Sequence, residues 1–176
     1  MTDGLRARLA RVRLLGLDVD GVLTDGTLYY GDAGEVLKAF HVRDGLGLRL
    51  LLRNGVEVAV ISARRGGGLD RRMQEMHIDH YVAGREDKQT ALAEVAGKLG
   101  LDAAEVAFAG DDLIDLPAMR WAGVAIAVAD AHPRVRAEAA WVTAAAGGRG
   151  AVREIADALL DAQGKLEGAI EALTRP

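Results

Sequence analysis

"LLGLDVDGVLTDGTLYYG", residues 14–31, is the stretch from which the fold can be read. Its first half, Leu14–Val19, is an apolar run of strand length without alternation, the pattern of a strand buried on both faces. The run ends on two aspartates one residue apart, Asp18 and Asp20, and glycine and small polar residues follow at once. Two carboxylates that close repel each other unless a cation or a proton offsets the charge. The chemistry is therefore to be sought where this strand leaves the core.

Outward from that point the same grammar repeats. "VEVAVIS" (56–62), "EVAFAG" (105–110) and "VAIAVA" (124–129) are further continuous apolar runs, with shorter candidates at "HYVA" (80–83) and "WVT" (141–143). Helical patterns lie between them at 44–55, 87–100, 112–123 and 150–166. The first opens on Asp44 as a candidate N-cap and closes at Gly55, a candidate residue just past the helix end. Buried strands alternating with helices predict a doubly wound, mostly parallel α/β sheet covered on both faces. One segment, "TLYYGDAGEVLKAF" (27–40), breaks the alternation and predicts a β-hairpin inserted after the first strand. "GGG" at 66–68 reads as a loop, and 163–176 as a C-terminal tail.

Composition narrows the function classes. The 176 residues, half of them hydrophobic and only three of them proline, suit one globular domain spanning 1–176 with a sizeable core. A net charge of −4 argues against a general nucleic-acid binder. No cysteine is present, which excludes disulfides, zinc–thiolate sites and thiol catalysis and suits the cytoplasm. The arginines near the N-terminus precede only a short, interrupted apolar stretch, so neither a leader nor a membrane span is expected.

In open parallel sheets, ligands bind beyond the carboxyl ends of the strands. Those ends deliver Asp18 and Asp20, then Ser62, then Asp111 and Asp112 with Asp115 one turn on, and Lys88 opens a helix nearby. Carboxylates without cysteine or a histidine cluster suit a hard cation with oxygen ligands, Mg²⁺ before others. Such a cation would leave room for a substrate phosphate, whose remaining oxygens Lys88 and backbone N–H groups near Ser62 can hold. A carboxylate nucleophile with a second carboxyl as proton donor, then base, makes a phosphate-ester hydrolase. Arg43, Arg49, Arg64, Arg65, Arg71 and Arg72 crowd the first two strand ends of an otherwise acidic chain, which suits a substrate with more negative charge than one phosphate.

"DVDGVLTDG", "VISAR", Lys88 in "REDKQTAL" and "GDDLIDLPAM" resemble, in order and spacing, the four motifs of the haloacid dehalogenase superfamily. The resemblance implies a Rossmann-like fold with Asp18 as nucleophile and Asp20 as general acid/base that also lends its main-chain carbonyl to Mg²⁺. It further implies Ser62 and Lys88 as phosphate holders and Asp111 as the third metal ligand, with Asp112 and Asp115 behind the ligands. "LYYGDAGEVLKAFHVRDGLG", "VAVADAHP" and "GGRGAVREI" extend the similarity across nearly the whole chain, to the 3-deoxy-D-manno-octulosonate 8-phosphate phosphatase family of lipopolysaccharide sugar synthesis. That family is capless, tetrameric and Mg²⁺-dependent. Its substrate contacts map onto Asp20, His41, Val42, Arg43, Asp44, Gly45, Arg49, Arg64, Arg72 and Lys88.

Spacing supports the capless expectation on its own. About forty residues separate Asp20 from Ser62, and about twenty-five separate Ser62 from Lys88, too few for a domain that would shield the reaction from water. A neighbouring subunit is then expected to close the site, with the hairpin and the "GGRG" loop at 147–150 as the contact. Two rival readings are a phosphatase for a nine-carbon sugar-acid phosphate and a phospho-accepting switch domain. Asp20 argues against the switch, which needs a long-lived acyl phosphate rather than a second carboxyl to hydrolyse it.

Overall fold

A computed structural model describes residues 1–32 and 34–175, so Ala33 in the turn of the expected hairpin and Pro176 at the end of the expected tail lie outside the described residues. In chain order the elements are α1 (Asp3–Leu9), β1 (Leu14–Leu17), β2 (Tyr29–Gly31), β3 (Gly34–Leu37), α2 (Val42–Arg53), β4 (Glu57–Ser62), α3 (Gly67–Met76) and β5 (His80–Ala83). Then come α4 (Lys88–Lys98), β6 (Val106–Gly110), α5 (Leu116–Trp121), β7 (Val124–Ala127), α6 (Pro133–Glu138), β8 (Trp141–Val142), α7 (Ala151–Ala162) and α8 (Leu166–Thr174).

Six strands form one parallel sheet in the order β5-β4-β1-β6-β7-β8. β1 lies between β4 and β6, and its four residues are all buried, as its unbroken apolar run requires. The chain moves from β1 to β4 in one direction and from β6 to β7 in the other. Right-handed crossovers then put α2 and α5 on opposite faces, and the strand order reverses at β1. α2 packs on α7, with α1 beside it, while α4 packs on α5 and on β4. β2 and β3 form a separate antiparallel hairpin after β1, where the sequence predicts it. Among the described residues, only that hairpin lies between β1 and α2, and only α3 between β4 and β5.

Three expectations are corrected in detail. The "GGG" stretch does not remain a loop: Gly67 and Gly68 begin α3, which buries Leu69, Met73 and Met76 at i, i+4 and i+7. The C-terminal stretch is not a plain tail, because α8 follows the turn at Gly164. Asp44 does not cap its own helix. His41 occupies the N-cap of α2, and the Asp44 carboxylate instead accepts from Arg153 N at 2.8 Å and Gly150 N at 3.3 Å, capping α7 across the interface. Gly55 follows the helix C-cap at φ 79°, the left-handed conformation that its position requires.

Candidate active site

Asp18 follows β1 directly, and its N–H donates to Ala109 O at 3.1 Å, so the strand ladder fixes where the carboxylate emerges. Lys88 is the first residue of α4, whose N-cap Asp87 accepts from Thr90 N at 3.0 Å. That cap directs a buried ammonium back toward β1: Lys88 Nζ lies 2.7 Å from Asp18 Oδ1 and 2.6 Å from Asp115 Oδ1. The other oxygen of Asp115 accepts from Asp111 N at 2.9 Å and Asp112 N at 3.2 Å. Asp115 thus fastens the turn after β6 and orients Lys88 together. Ser62 ends β4, is buried, and its Oγ accepts from Arg64 N at 3.1 Å.

The backbone around Asp20 demands glycine. Gly21 has φ 98°, and a Cβ there would fall 2.1 Å from Asp111 Oδ2, so the loop after β1 and the turn after β6 meet with no room for a side chain. Gly147 backs the same loop, since a Cβ on it would stand 1.7 Å from Gly21 O. Gly148 N donates to Val22 O at 2.9 Å, and Arg149 pairs with Asp25 at 3.0 Å. Within one chain, then, "GGRG" braces its own Asp20 loop, a role not foreseen when it was expected only as an intersubunit contact.

A cleft of about 230 Å³ opens at these strand ends, lined by Asp18, Asp20, Ser62, Arg64, Lys88 and Asp111, with Asp112 at its edge. Burial first, and then the neighbouring acid Asp115, raise the Asp18 carboxyl to about 6 against the pull of Lys88. Burial, and then the charges of Asp18 and Asp115, raise Asp111 to about 8. Lys88 is drawn down by burial, but Asp18 and Asp115 more than offset this and hold it above its ordinary value. The buried side-chain polar atoms without a partner among the described residues are Asp111 Oδ1, Arg64 Nε and His41 Nδ1. Two of the three residues line the cleft: one offers an acceptor and the other a donor.

The donor set fits a hard divalent cation. Carboxylate oxygens of Asp18, Asp111 and Asp115 lie within 4.8 Å of one another, and Asp111 Oδ1 has no hydrogen-bond partner among the described residues. Asp115 has both oxygens engaged by Lys88 and the two backbone N–H groups, which suits it to orienting rather than ligating. The carboxylate of Asp20 turns the other way, to Lys38 and toward Arg64, leaving only its main-chain carbonyl for a cation. Sequence reasoning missed Lys38 and Glu35, which the hairpin brings to Asp20. Their signal was present, an acid and a base three residues apart in the otherwise apolar second arm of the hairpin, but nothing local shows which way the hairpin folds.

The remaining substrate candidates lie outside this cleft within one chain. His41, Asp44, Gly45 and Arg72 border a small neighbouring cavity, where Arg72 stands over the Phe40 ring at 5.8 Å. Val42 and Arg43 are exposed at the start of α2. Arg49 is exposed on α2 and borders a separate groove with Arg53 and His77.

Comparison with known proteins gives the family and the fold. The haloacid dehalogenase-like hydrolase family model matches residues 71–155. The 3-deoxy-D-manno-octulosonate 8-phosphate phosphatase KdsC of Yersinia pestis is 48% identical over 169 residues, covering 96% of this chain and 90% of that protein. Its crystal structure superposes with a TM-score of 0.93 over 96% of this chain and 91% of that one. The Moraxella catarrhalis phosphatase, solved with magnesium, phosphate and KDO, is 38% identical with a TM-score of 0.95, covering 99% of this chain and all of that one (100%). The chain belongs to the haloacid dehalogenase superfamily of hydrolases, within the phosphomonoesterase family of the 3-deoxy-D-manno-octulosonate 8-phosphate phosphatases.

Proposed function

We propose that this chain hydrolyses 3-deoxy-D-manno-octulosonate 8-phosphate to the free sugar acid and inorganic phosphate, as a step of lipopolysaccharide sugar synthesis in the cytoplasm. The observation that carries the reading is the pairing, in one cleft, of an unfilled buried acceptor on Asp111 with an unfilled buried donor on Arg64, beside the buried carboxylate of Asp18. An acceptor without a donor calls for a cation, and a donor without an acceptor calls for an anion. Relatives named for this sugar phosphate across nearly the whole chain supply the substrate class.

In this reading a carboxylate oxygen of Asp18 attacks phosphorus, the bond from phosphorus to the sugar oxygen breaks, and Asp20 gives that oxygen its proton. Water then attacks the aspartyl-phosphate, Asp20 takes a proton from it, and phosphate leaves with the Asp18 carboxylate restored. Lys88 and the backbone after Ser62 hold the phosphoryl oxygens, and Asp115 keeps Lys88 aimed. Asp18, Asp111 and the main-chain carbonyl of Asp20 would hold Mg²⁺, which neutralises charge on the phosphoryl group and on the crowded acids. Arg64, with its Nε free, meets a further anionic group of the substrate.

The reading includes a homotetramer in which a neighbouring subunit closes the cleft. Among the described residues no further domain is inserted beside the cleft, and Tyr30, Val36 and Leu37 of the hairpin expose 62%, 65% and 57% of their surfaces to water. A Mg²⁺-supported phosphate-release screen over sugar and sugar-acid phosphates tests the substrate. Selective turnover of the eight-carbon acid is expected. Preference for a nine-carbon acid would replace that substrate, and preference for a neutral sugar phosphate would overturn the sugar-acid reading.

A further inference from the structure

Asp20 is held by a cation that the motifs do not include. Lys38, one residue past β3, places Nζ against Asp20 Oδ1, and the same ammonium lies 3.2 Å from Glu35 Oε1. Glu35 Oε2 in turn accepts from Arg64 Nη2 at 3.3 Å, and that same nitrogen donates to the Tyr30 hydroxyl at 2.5 Å. The two cations near Asp20 differ in kind. The Arg64 side chain is 38% exposed with a free Nε, in a position to meet a substrate anion, whereas that of Lys38 is 5% exposed and faces two carboxylates. A shut-in ammonium with its donors on acids is placed to hold a neighbour rather than to receive a ligand.

The two oxygens of Asp20 differ as a result. Oδ1 is occupied by Lys38, while Oδ2 lies 3.9 Å from Arg64 Nε, beyond a hydrogen bond. We propose that Lys38, steadied by Glu35, is a positioning residue for Asp20: by engaging Oδ1 it fixes the carboxyl so that Oδ2 carries the proton to the leaving oxygen. The hairpin is then part of the acid–base machinery. This rests on Asp20 being the general acid. In the step concerned, the bond from phosphorus to the leaving oxygen breaks, the Oδ2 proton moves to that oxygen, and Oδ2 is left anionic.

The test uses the leaving group. The value of kcat/KM reports the steps up to formation of the aspartyl-phosphate, and nitrophenolate departs without a proton while a sugar alkoxide does not. Lys38→Met should lower kcat/KM by about 10- to 100-fold for sugar-acid and neutral alkyl phosphates and by less than about threefold for p-nitrophenyl phosphate. Lys38→Arg should recover part of the loss. Asp20→Asn is the reference and should show the same leaving-group signature more strongly. If Asp20→Asn has the signature and Lys38→Met does not, the positioning role is overturned while the function stands. An equal loss on all esters would make Lys38 merely structural, and a loss confined to esters bearing a carboxylate would make it a substrate contact. Either result overturns the proposal. If Asp20→Asn itself lacks the signature, the general-acid assignment fails and the proposal with it. Should Lys38→Met fail to fold, Glu35→Gln is judged by the same ordering of esters.

Discussion

The ammonium of Lys88 sits between Asp18 and Asp115 with almost no access to water, and it offsets the charge of both buried acids. Lys88→Met would leave those carboxylates buried and unpaired. A destabilisation of about 3–5 kcal/mol is expected from urea unfolding, together with loss of turnover. Asp18→Asn removes charge from the same crowd, so it should abolish activity, by at least about a thousandfold in kcat, while far-UV circular dichroism and the unfolding midpoint stay close to the parent. Substantial residual turnover would refute the nucleophile assignment. The raised carboxyls also set a pH dependence. Their folded values, about 6 for Asp18 and about 8 for Asp111, exceed the usual 3.8, so between about pH 4 and 8 the folded state binds more protons than the unfolded one. Stability from these groups is therefore present at low pH and falls as pH rises through that window. A cation replaces those protons, so the gain in Tm on adding Mg²⁺ should grow from pH 5 to pH 8. Binding should also release protons, measurable by calorimetry in buffers of different ionisation enthalpy. A gain in Tm independent of pH would exclude these acids as ligands.

At the scale of elements, the Asp20 loop is held from behind by segments distant in sequence. Asp44 on α2 caps α7, and α7 anchors the "GGRG" loop, whose Gly147 and Gly148 lie on Gly21 and Val22. Gly147→Ala must push that loop away, because its Cβ would meet Gly21 O at 1.7 Å. A cost of about 1–3 kcal/mol and a fall in kcat of about tenfold or more are expected, read by thermal unfolding and steady-state kinetics. Unchanged kcat would show that the loop does not govern the placement of Asp20. This arrangement also shows what the sequence could and could not reveal. β1, β4, β6 and β7 were legible because strands buried on both faces read as unbroken apolar runs, and the motif acids follow directly from strand ends. α3 was hidden by the glycines at its start, which suggest a loop although Leu69, Met73 and Met76 keep helical spacing. Asp44 looked like a cap for α2 because a cap is read locally, yet its carboxylate serves a helix more than a hundred residues away. Lys38 was missed for a related reason: the Glu35–Lys38 pair is visible in the sequence, but its meeting with Asp20 depends on how the hairpin folds.

For the whole molecule the decisive feature is that no cap domain is inserted beside the cleft among the described residues. Several residues that the family resemblance assigns to substrate, His41 to Gly45 with Arg49 and Arg72, lie outside the cleft of their own chain. They could meet a substrate in that cleft only if it extended well beyond 230 Å³, or if they belonged to a neighbouring copy. The hairpin favours the second arrangement. A two-stranded hairpin is marginal alone in water, and this one exposes Tyr30, Val36 and Leu37 while tying its polar face to Asp20 and Arg64. Burying those apolar side chains against another copy would stabilise the hairpin and, through Lys38, the carboxyl of Asp20. Activity should therefore depend on assembly. Paired substitution of Val36 and Leu37 by aspartate should yield a folded monomer by sedimentation and circular dichroism, with kcat/KM for the sugar-acid phosphate lowered about 10-fold or more. Dilution of the parent protein through its dissociation range should lower specific activity in parallel with the assembled fraction. A dilute monomer that retained full turnover would show that each chain completes its own site, and the contacts at His41 to Gly45 would then have to be reassigned to structure.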